Sequence, residues 1–266
     1  MLYKYKKVEI MTKVAIITGS SSGIGEGLAY QYAKKGYHLG LLARRTESLI
    51  VIKDKINAMS DVEVAVLTCD VSDKVAVFAA IESVIDRWGK VDLLIANAGV
   101  SVASPAYEAP VNCFETTFNI NVMGAGYSAY AVIPHMVKQK RGKIVVISSL
   151  AGYRGLPEAG VYCASKAAVN ALFESMRLDL KKYGVTVSII RPGYIKTALT
   201  DRNNYYMPFL QPLATAIVKI VNAIEQKKAI YSFPWPLAFV VKSFYFWPRF
   251  LYDWCFAGRR NDKRVD

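Results

Sequence analysis

Histidine, cysteine and acidic side chains are all scarce in this chain of 266 residues. With 2 His and 4 Cys there is no CxxC pair, no HExxH and no His/Cys cluster, so the sequence offers no zinc site and no metal is expected. Four cysteines in a chain this long do not make a disulfide scaffold, and they are read as reduced thiols of a cytoplasmic protein. Long apolar runs are missing too. The longest uncharged stretch near the aromatic carboxyl end, Ala229 to Val241, is 13 residues with Pro234 and Pro236 inside it, well short of the ~20 that a membrane-spanning helix needs. Residues 1–10 mix Lys4, Lys6 and Lys7 with Glu9 and aromatics and carry no export signal, so 1–11 is set aside as a tail. With 53% hydrophobic residues, disorder and collagen-like repeats are excluded as well.

What the chain does have is alternation. Short β-branched runs at 14–19, 38–43, 63–68, 93–98, 143–148, 186–191 and 229–233 are separated by segments of helical period at 23–35, 46–58, 73–87, 112–139, 160–183 and 213–226. Most of the strand candidates are apolar without alternation, as in strands covered on both faces. This is the pattern of an α/β chain, a single doubly wound Rossmann-type parallel sheet of about seven strands over residues 12–229. Its ligands are expected outside the carboxyl ends of the strands.

The first strand runs into Thr18-Gly19-Ser20-Ser21-Ser22-Gly23-Ile24-Gly25 and then a helix. Glycines there allow a tight turn and close backbone approach, and the free N–H groups at a helix start suit a pyrophosphate. The second strand ends in Ala43-Arg44-Arg45 with no carboxylate before Glu47. An acid at that point would accept from a ribose 2′-OH, whereas two guanidiniums can fork onto a 2′-phosphate, so NADPH/NADP+ is preferred over NADH. Asp70-Val71 after the third strand and Asn97-Ala98-Gly99 after the fourth fall where adenine and ribose would lie; either is also an ordinary Asx or Gly turn.

Tyr162 and Lys166, four apart on a predicted helix, project from one face. An ammonium and an oxidised nicotinamide beside the phenol would lower its pKa toward the range of acid-base work. Ser148-Ser149 closes the fifth strand 13 residues earlier, where a hydroxyl can donate to a substrate oxygen. Asn121, on the long predicted helix before that strand, is the remaining polar candidate; a backbone-bonded helix residue is the alternative.

In order and at family spacing, TGSSSGIG (18–25), DV (70–71), NAG (97–99), NVMG (121–124), ISS (147–149), YCASK (162–166) and RPG (191–193) followed by Thr197 resemble the classical short-chain dehydrogenase/reductase family over about residues 12–200. The resemblance implies a tetrad of Asn121, Ser149, Tyr162 and Lys166, with Tyr162 protonating a carbonyl oxygen that Ser149 holds. Lys166 would bind the nicotinamide ribose and, with Asn121, support a proton-relay water. Pro192 and Gly193 would belong to the cofactor site, and Ile195 and Thr197 after them would contact the carboxamide end of the cofactor. Ala96 departs from the family's doubled asparagine. A homodimer or homotetramer acting on a small-molecule carbonyl is implied as well.

Tyr194, Tyr205, Tyr206, Met207, Phe209 and Leu210 suit a bulky apolar carbonyl substrate, or simply pack on the sheet. Residues 230–266 form a separate extension in composition: 12 of the 32 aromatics fall in 230–256. Interleaved with Lys242, Arg249, Arg259 and Arg260, these aromatics suit a peripheral contact with anionic lipid, a subunit contact, or an apolar mouth to the pocket. The net charge of +13 raises nucleic acid, but no binding module accompanies it, so no nucleic acid is expected. The expected activity is NADPH-dependent hydride transfer between the cofactor and an apolar ketone or secondary alcohol. The rival readings are a nucleotide-sensing or membrane-peripheral binding protein without turnover, and epimerase or dehydratase chemistry on a nucleotide sugar, for which the chain after Gly193 leaves little room.

Overall fold

The fold was obtained as a computed structural model, which describes residues 12–102, 105–108 and 110–256. The proposed tail 1–11 and the basic residues Arg259 and Arg260 lie outside the described residues. Seven parallel strands form one sheet in the order β3-β2-β1-β4-β5-β6-β7: β1 (Lys13–Thr18), β2 (Tyr37–Ala43), β3 (Val64–Thr68), β4 (Leu93–Ala96), β5 (Gly142–Ile147), β6 (Val185–Pro192) and β7 (Ile230–Phe233). The order turns back between β1 and β4, which opens a crevice at their carboxyl ends.

Successive residues of each strand feed opposite cores, which is why the strands read as unbroken apolar runs. Ala15 and Ile17 of β1 pack with α1 (Gly23–Lys34), α2 (Thr46–Asn57) and α7 (Leu213–Glu225). Val14 and Ile16 pack on the other face with α3 (Lys74–Trp88), α5 (Ala125–Gln139) and α6 (Gly160–Leu180). Helix starts follow local chemistry: Asp73, expected as the first residue of a helix, is instead the N-cap of α3, accepting from the N–H groups of Val75 and Ala76.

The segment expected as one helix over 112–139 is α4 (Val111–Phe118) and α5 joined by a π-helical turn, Asn119–Gly124. A Cβ on Gly124 would lie 2.7 Å from Val71 Cγ2, so the wide turn presses its backbone onto the end of the third strand's loop. The fourth strand stops at Ala96, two residues early, because the N–H groups of Asn97 and Ala98 turn away to Thr18 Oγ1, at 3.0 and 3.1 Å. Beyond β7 the chain forms α8 (Trp235–Ser243) and α9 (Arg249–Phe256). Arg154 fastens them to the body by donating to the Phe244 carbonyl and stacking 3.8 Å from the Tyr252 ring, while the Tyr252 hydroxyl donates to the Gly155 carbonyl.

Candidate active site

The glycine loop between β1 and α1 is held by side chains from the neighbouring strands. Gly19 has φ +64°, and a Cβ there would come within 2.7 Å of Ala98 Cα. A Cβ on Gly25 would lie 2.3 Å from the Gly19 carbonyl oxygen, so helix and loop approach at a distance only glycine allows. Asn97 Nδ2 donates to the carbonyls of Thr18 and Gly19, at 3.0 and 3.1 Å, clamping the loop to the end of β4. Ser22 is the N-cap of α1, yet its hydroxyl makes no bond to the helix; it accepts from Arg45 Nη2 at 2.8 Å. The first-turn N–H groups of α1 are therefore left for an anion, in a cradle too tight for side chains, and the residues present fit a dinucleotide pyrophosphate. Ile24 packs down into the core beneath, and Gly23 lies against Thr197, whose Cγ2 would be 3.5 Å from a Cβ there.

The two arginines after β2 take different positions. Arg45 donates to Ser21 Oγ and to the Ser21 carbonyl as well as to Ser22, so its guanidinium closes the side of the loop. Arg44, largely exposed, pairs with Asp70 at 3.7 Å. Burial opposes ionisation of Asp70, but Ser72 N–H and hydroxyl bonds and then Arg44 outweigh it, and its pKa falls below the usual carboxylate range. Val71 is buried against the π-helical turn. On the far side Gly193 N–H donates to the Phe233 carbonyl at 2.7 Å, following Pro192 at the end of β6, and Ile195 is buried.

Ser149, Tyr162, Lys166 and Asn121 converge at the ends of β4 and β5. Tyr162 and Ser149 both line one cavity of about 1140 Å³; the Ser149 hydroxyl donates to the Pro192 carbonyl at 3.5 Å and lies near enough to the phenol to favour its ionised form. Lys166 lies beneath, almost fully buried, its Nζ 5.7 Å from the Tyr162 ring centroid and donating to the Ile147 carbonyl at 3.0 Å. A Cβ on Gly99 would sit 3.2 Å from Asn121 Oδ1 and 3.6 Å from Lys166 Nζ, which brings the Asn-Ala-Gly turn against both. Asn121 lies on the π-helical turn, a local geometry common at functional sites. Its side chain exchanges bonds with the Val100 backbone and donates to Ser165 Oγ, so the amide is spent on positioning.

Burial dominates the pKa pattern of Tyr162 and Lys166. It pushes the Tyr162 phenol up to about 12; the Ser149 hydroxyl pulls against it, while Cys163 and Tyr205 add to the rise. Burial also disfavours the charge of Lys166, bringing its pKa down to about 8, and its amine donates to the Ile147 carbonyl. At neutral pH Tyr162 holds its proton.

Above the tetrad the cavity is walled by three stretches distant in sequence. Tyr194, Leu199, Tyr205 and Tyr206 come from the loop after β6, with the Tyr194 and Tyr205 rings 6.2 Å apart and nearly edge-on. Val102, Tyr107 and Leu156 come from the loops after β4 and β5. Leu237, Val241, Phe244 and Trp247 come from the aromatic carboxyl end. That end, whose role the sequence left open, thus lines the pocket. Met207, Phe209 and Leu210, expected with the other loop residues, are not in the wall, although Pro208 is. One buried group was passed over entirely. Arg191 has no carboxylate partner among the described residues; it donates to Asn170 Oδ1 and Tyr153 OH, at 3.1 and 3.0 Å, and Ser148 donates to the same Asn170 oxygen. A cation inside the apolar run IIRPG was the available signal.

A parallel sheet with a switch point and a glycine cradle at its first helix define the Rossmann-type, dinucleotide-binding class. Residues 13–206 match the family model described as short chain dehydrogenase. An uncharacterized oxidoreductase of Myxococcus xanthus is 38% identical over 245 residues, 92% of this chain and 96% of the relative. An Arabidopsis thaliana 11-beta-hydroxysteroid dehydrogenase-like 4A protein is 40% identical over 190 residues, 71% of this chain and 63% of the relative. Among solved structures, a Burkholderia phymatum short-chain dehydrogenase/reductase in complex with NAD superposes with a TM-score of 0.81 at 26% identity, covering 97% of this chain and 99% of that one. An alcohol dehydrogenase of Thermococcus sibiricus complexed with 5-hydroxy-NADP gives 0.75 at 27% identity, covering 83% and 94%. The chain belongs to the short-chain dehydrogenase/reductase family and is an NAD(P)-dependent oxidoreductase.

Proposed function

We propose that this enzyme is an NADPH-dependent reductase of a bulky apolar ketone, or the reverse secondary-alcohol dehydrogenase, with Asn121, Ser149, Tyr162 and Lys166 as its reacting constellation. The observation that carries the reading is the placing of the Tyr162 and Ser149 hydroxyls in the wall of a 1140 Å³ cavity otherwise rich in aromatic and aliphatic side chains. The nicotinamide, when bound, supplies the hydride. Tyr162, protonated at neutral pH, gives its proton to the substrate oxygen, and Ser149 donates a hydrogen bond that stabilises charge developing there. Lys166, whose amine lies beside the Gly99 turn, would bind the nicotinamide ribose, and Asn121 fixes the Val100 backbone next to it. A phenol that keeps its proton at neutral pH is in the state needed for a general acid in ketone reduction.

Preference for the 2′-phosphate rests on Arg44 and Arg45 at the end of β2, with no carboxylate before Glu47. A steroid-like or acyl-chain ketone fits the cavity size, and the names of the Arabidopsis relatives point the same way. Free thiols support a cytoplasmic, reducing compartment, and a homodimer or homotetramer follows the family habit. The test is NADPH oxidation against a panel of ketones with Tyr162→Phe alongside. The variant is expected to bind cofactor normally and to lose ~10²- to 10⁴-fold in kcat. Turnover close to wild type would overturn the mechanism.

A further inference from the structure

The outer surface of the carboxyl-terminal segment is as aromatic as its inner one. Trp235, Phe239, Phe246, Phe250 and Trp254 are each at least 71% exposed, although soluble chains rarely leave large rings uncovered together. Trp235 and Phe239 are four apart on α8, and Phe250 and Trp254 are four apart on α9, so each helix presents a ridge. Three of these rings are next in sequence to a residue that lines the cavity: Phe239 to Val240, Phe246 to Trp247 and Trp254 to Cys255. The same short segments therefore form the pocket wall on one side and an apolar surface on the other. At the rim itself Leu199, Tyr206 and Val240 line the cavity and remain exposed.

We propose that this face docks on an anionic lipid surface and that the pocket mouth takes its apolar substrate from that surface. Charge supports this occupant. Among the described residues, 227–256 carry Lys227, Lys228, Lys242 and Arg249 against Asp253, and exposed Lys242 and Arg249 lie within the aromatic segment itself. Aromatic rings flanked by cations are the composition of segments that lie at a bilayer interface. No helix among the described residues is long and apolar enough to cross a membrane, so the contact is peripheral. A second copy of the chain seated on the face would cover Val240 and Tyr206 and shut the mouth, whereas a lipid surface leaves it facing the phase where an apolar ketone dissolves. The route of substrate rests on the function proposed above; the docking does not.

The test is flotation of the full chain with vesicles of phosphatidylcholine plus phosphatidylglycerol, beside phosphatidylcholine alone. The wild type is expected to float, more strongly with the anionic lipid. Tryptophan emission should be quenched by brominated phosphatidylcholine, a readout that needs no variant. The combined Trp235→Ser, Phe239→Ser, Phe250→Ser and Trp254→Ser protein should float about tenfold less while binding NAD(P)H as before. Wild-type protein that stays at the bottom with both vesicles, or emission that brominated lipid leaves unchanged, would overturn the proposal. So would a variant whose sedimenting mass falls to that of a smaller oligomer, which would assign the face to a second copy. Neither readout uses turnover, so failure here and failure of the reductase reading are separable.

Discussion

Lys166 carries a cost that can be measured independently of catalysis. Burial lowers its pKa from 10.5 to about 8, a difference equivalent to about 3 kcal/mol of disfavoured charge in the folded state. Because the folded value lies below the unfolded one, the penalty is fully present below pH ~8 and is relieved as pH rises toward ~10.5, where the unfolded chain holds the extra proton and the folded one does not. Lys166→Met removes the penalty at every pH and also removes the bond to the Ile147 carbonyl, worth about 1.5–3 kcal/mol for a charged donor. At neutral pH the two effects nearly offset, and the variant should be as stable as wild type or more so by up to about 1.5 kcal/mol. Between pH ~7 and ~10 wild type should then gain on the variant by about 3 kcal/mol, equivalent to roughly 6–12 °C in Tm for a chain of this size. Thermal unfolding of both proteins by circular dichroism across that range is the assay. A difference in Tm that stays flat with pH would refute the burial of a titrating amine. A difference that moves in favour of the variant would reverse the sign of the shift. The variant should be inactive throughout.

The remaining predictions concern the cofactor side and the direction of reaction. Arg44→Ala with Arg45→Ala should raise the Kd of NADPH about 10- to 100-fold more than that of NADH, as read by fluorescence titration; equal losses for both would remove the 2′-phosphate argument. Gly25→Ala should abolish cofactor binding, because its Cβ would lie 2.3 Å from the Gly19 carbonyl oxygen and 2.7 Å from Asn97 Nδ2; a Kd within about threefold of wild type would show that the loop yields. Ketone reduction should hold at neutral pH and alcohol oxidation should rise toward alkaline pH, since the Tyr162 phenol holds its proton up to about 12; initial rates in both directions against pH check this, and oxidation fastest near neutrality would contradict it.

The sheet was readable because a strand buried on both faces has to be apolar throughout, and each predicted run met its strand within two residues at either end. The glycine loop was readable for a related reason: close backbone approach permits no other residue at Gly19 or Gly25. The π-helical turn around Asn121 was not: helical period does not report it, and its Gly124 packs against Val71, fifty-three positions away along the chain. Nor was the pKa of Tyr162. Spacing placed a lysine one turn away, but whether the amine or the apolar wall governs the phenol depends on burial, which helical spacing does not report. The carboxyl end showed its aromatics plainly; which of them face the cavity became visible only once α8 and α9 were folded against Arg154.

The cavity takes its walls from Ser101 to Phe256, whereas the glycine cradle, Arg45 and Asn97 all precede Gly99. During synthesis, at about 5–20 residues per second, the glycine cradle and the arginines leave the ribosome many seconds before the cavity is complete. A translation product cut off ahead of α9 would keep the loop, the arginines, Ser149 and Tyr162 yet lose Cys255 and Phe256 from the cavity wall. Ribosomal stalling or proteolytic clipping near the carboxyl end would thus change the cavity while leaving the glycine cradle as it is.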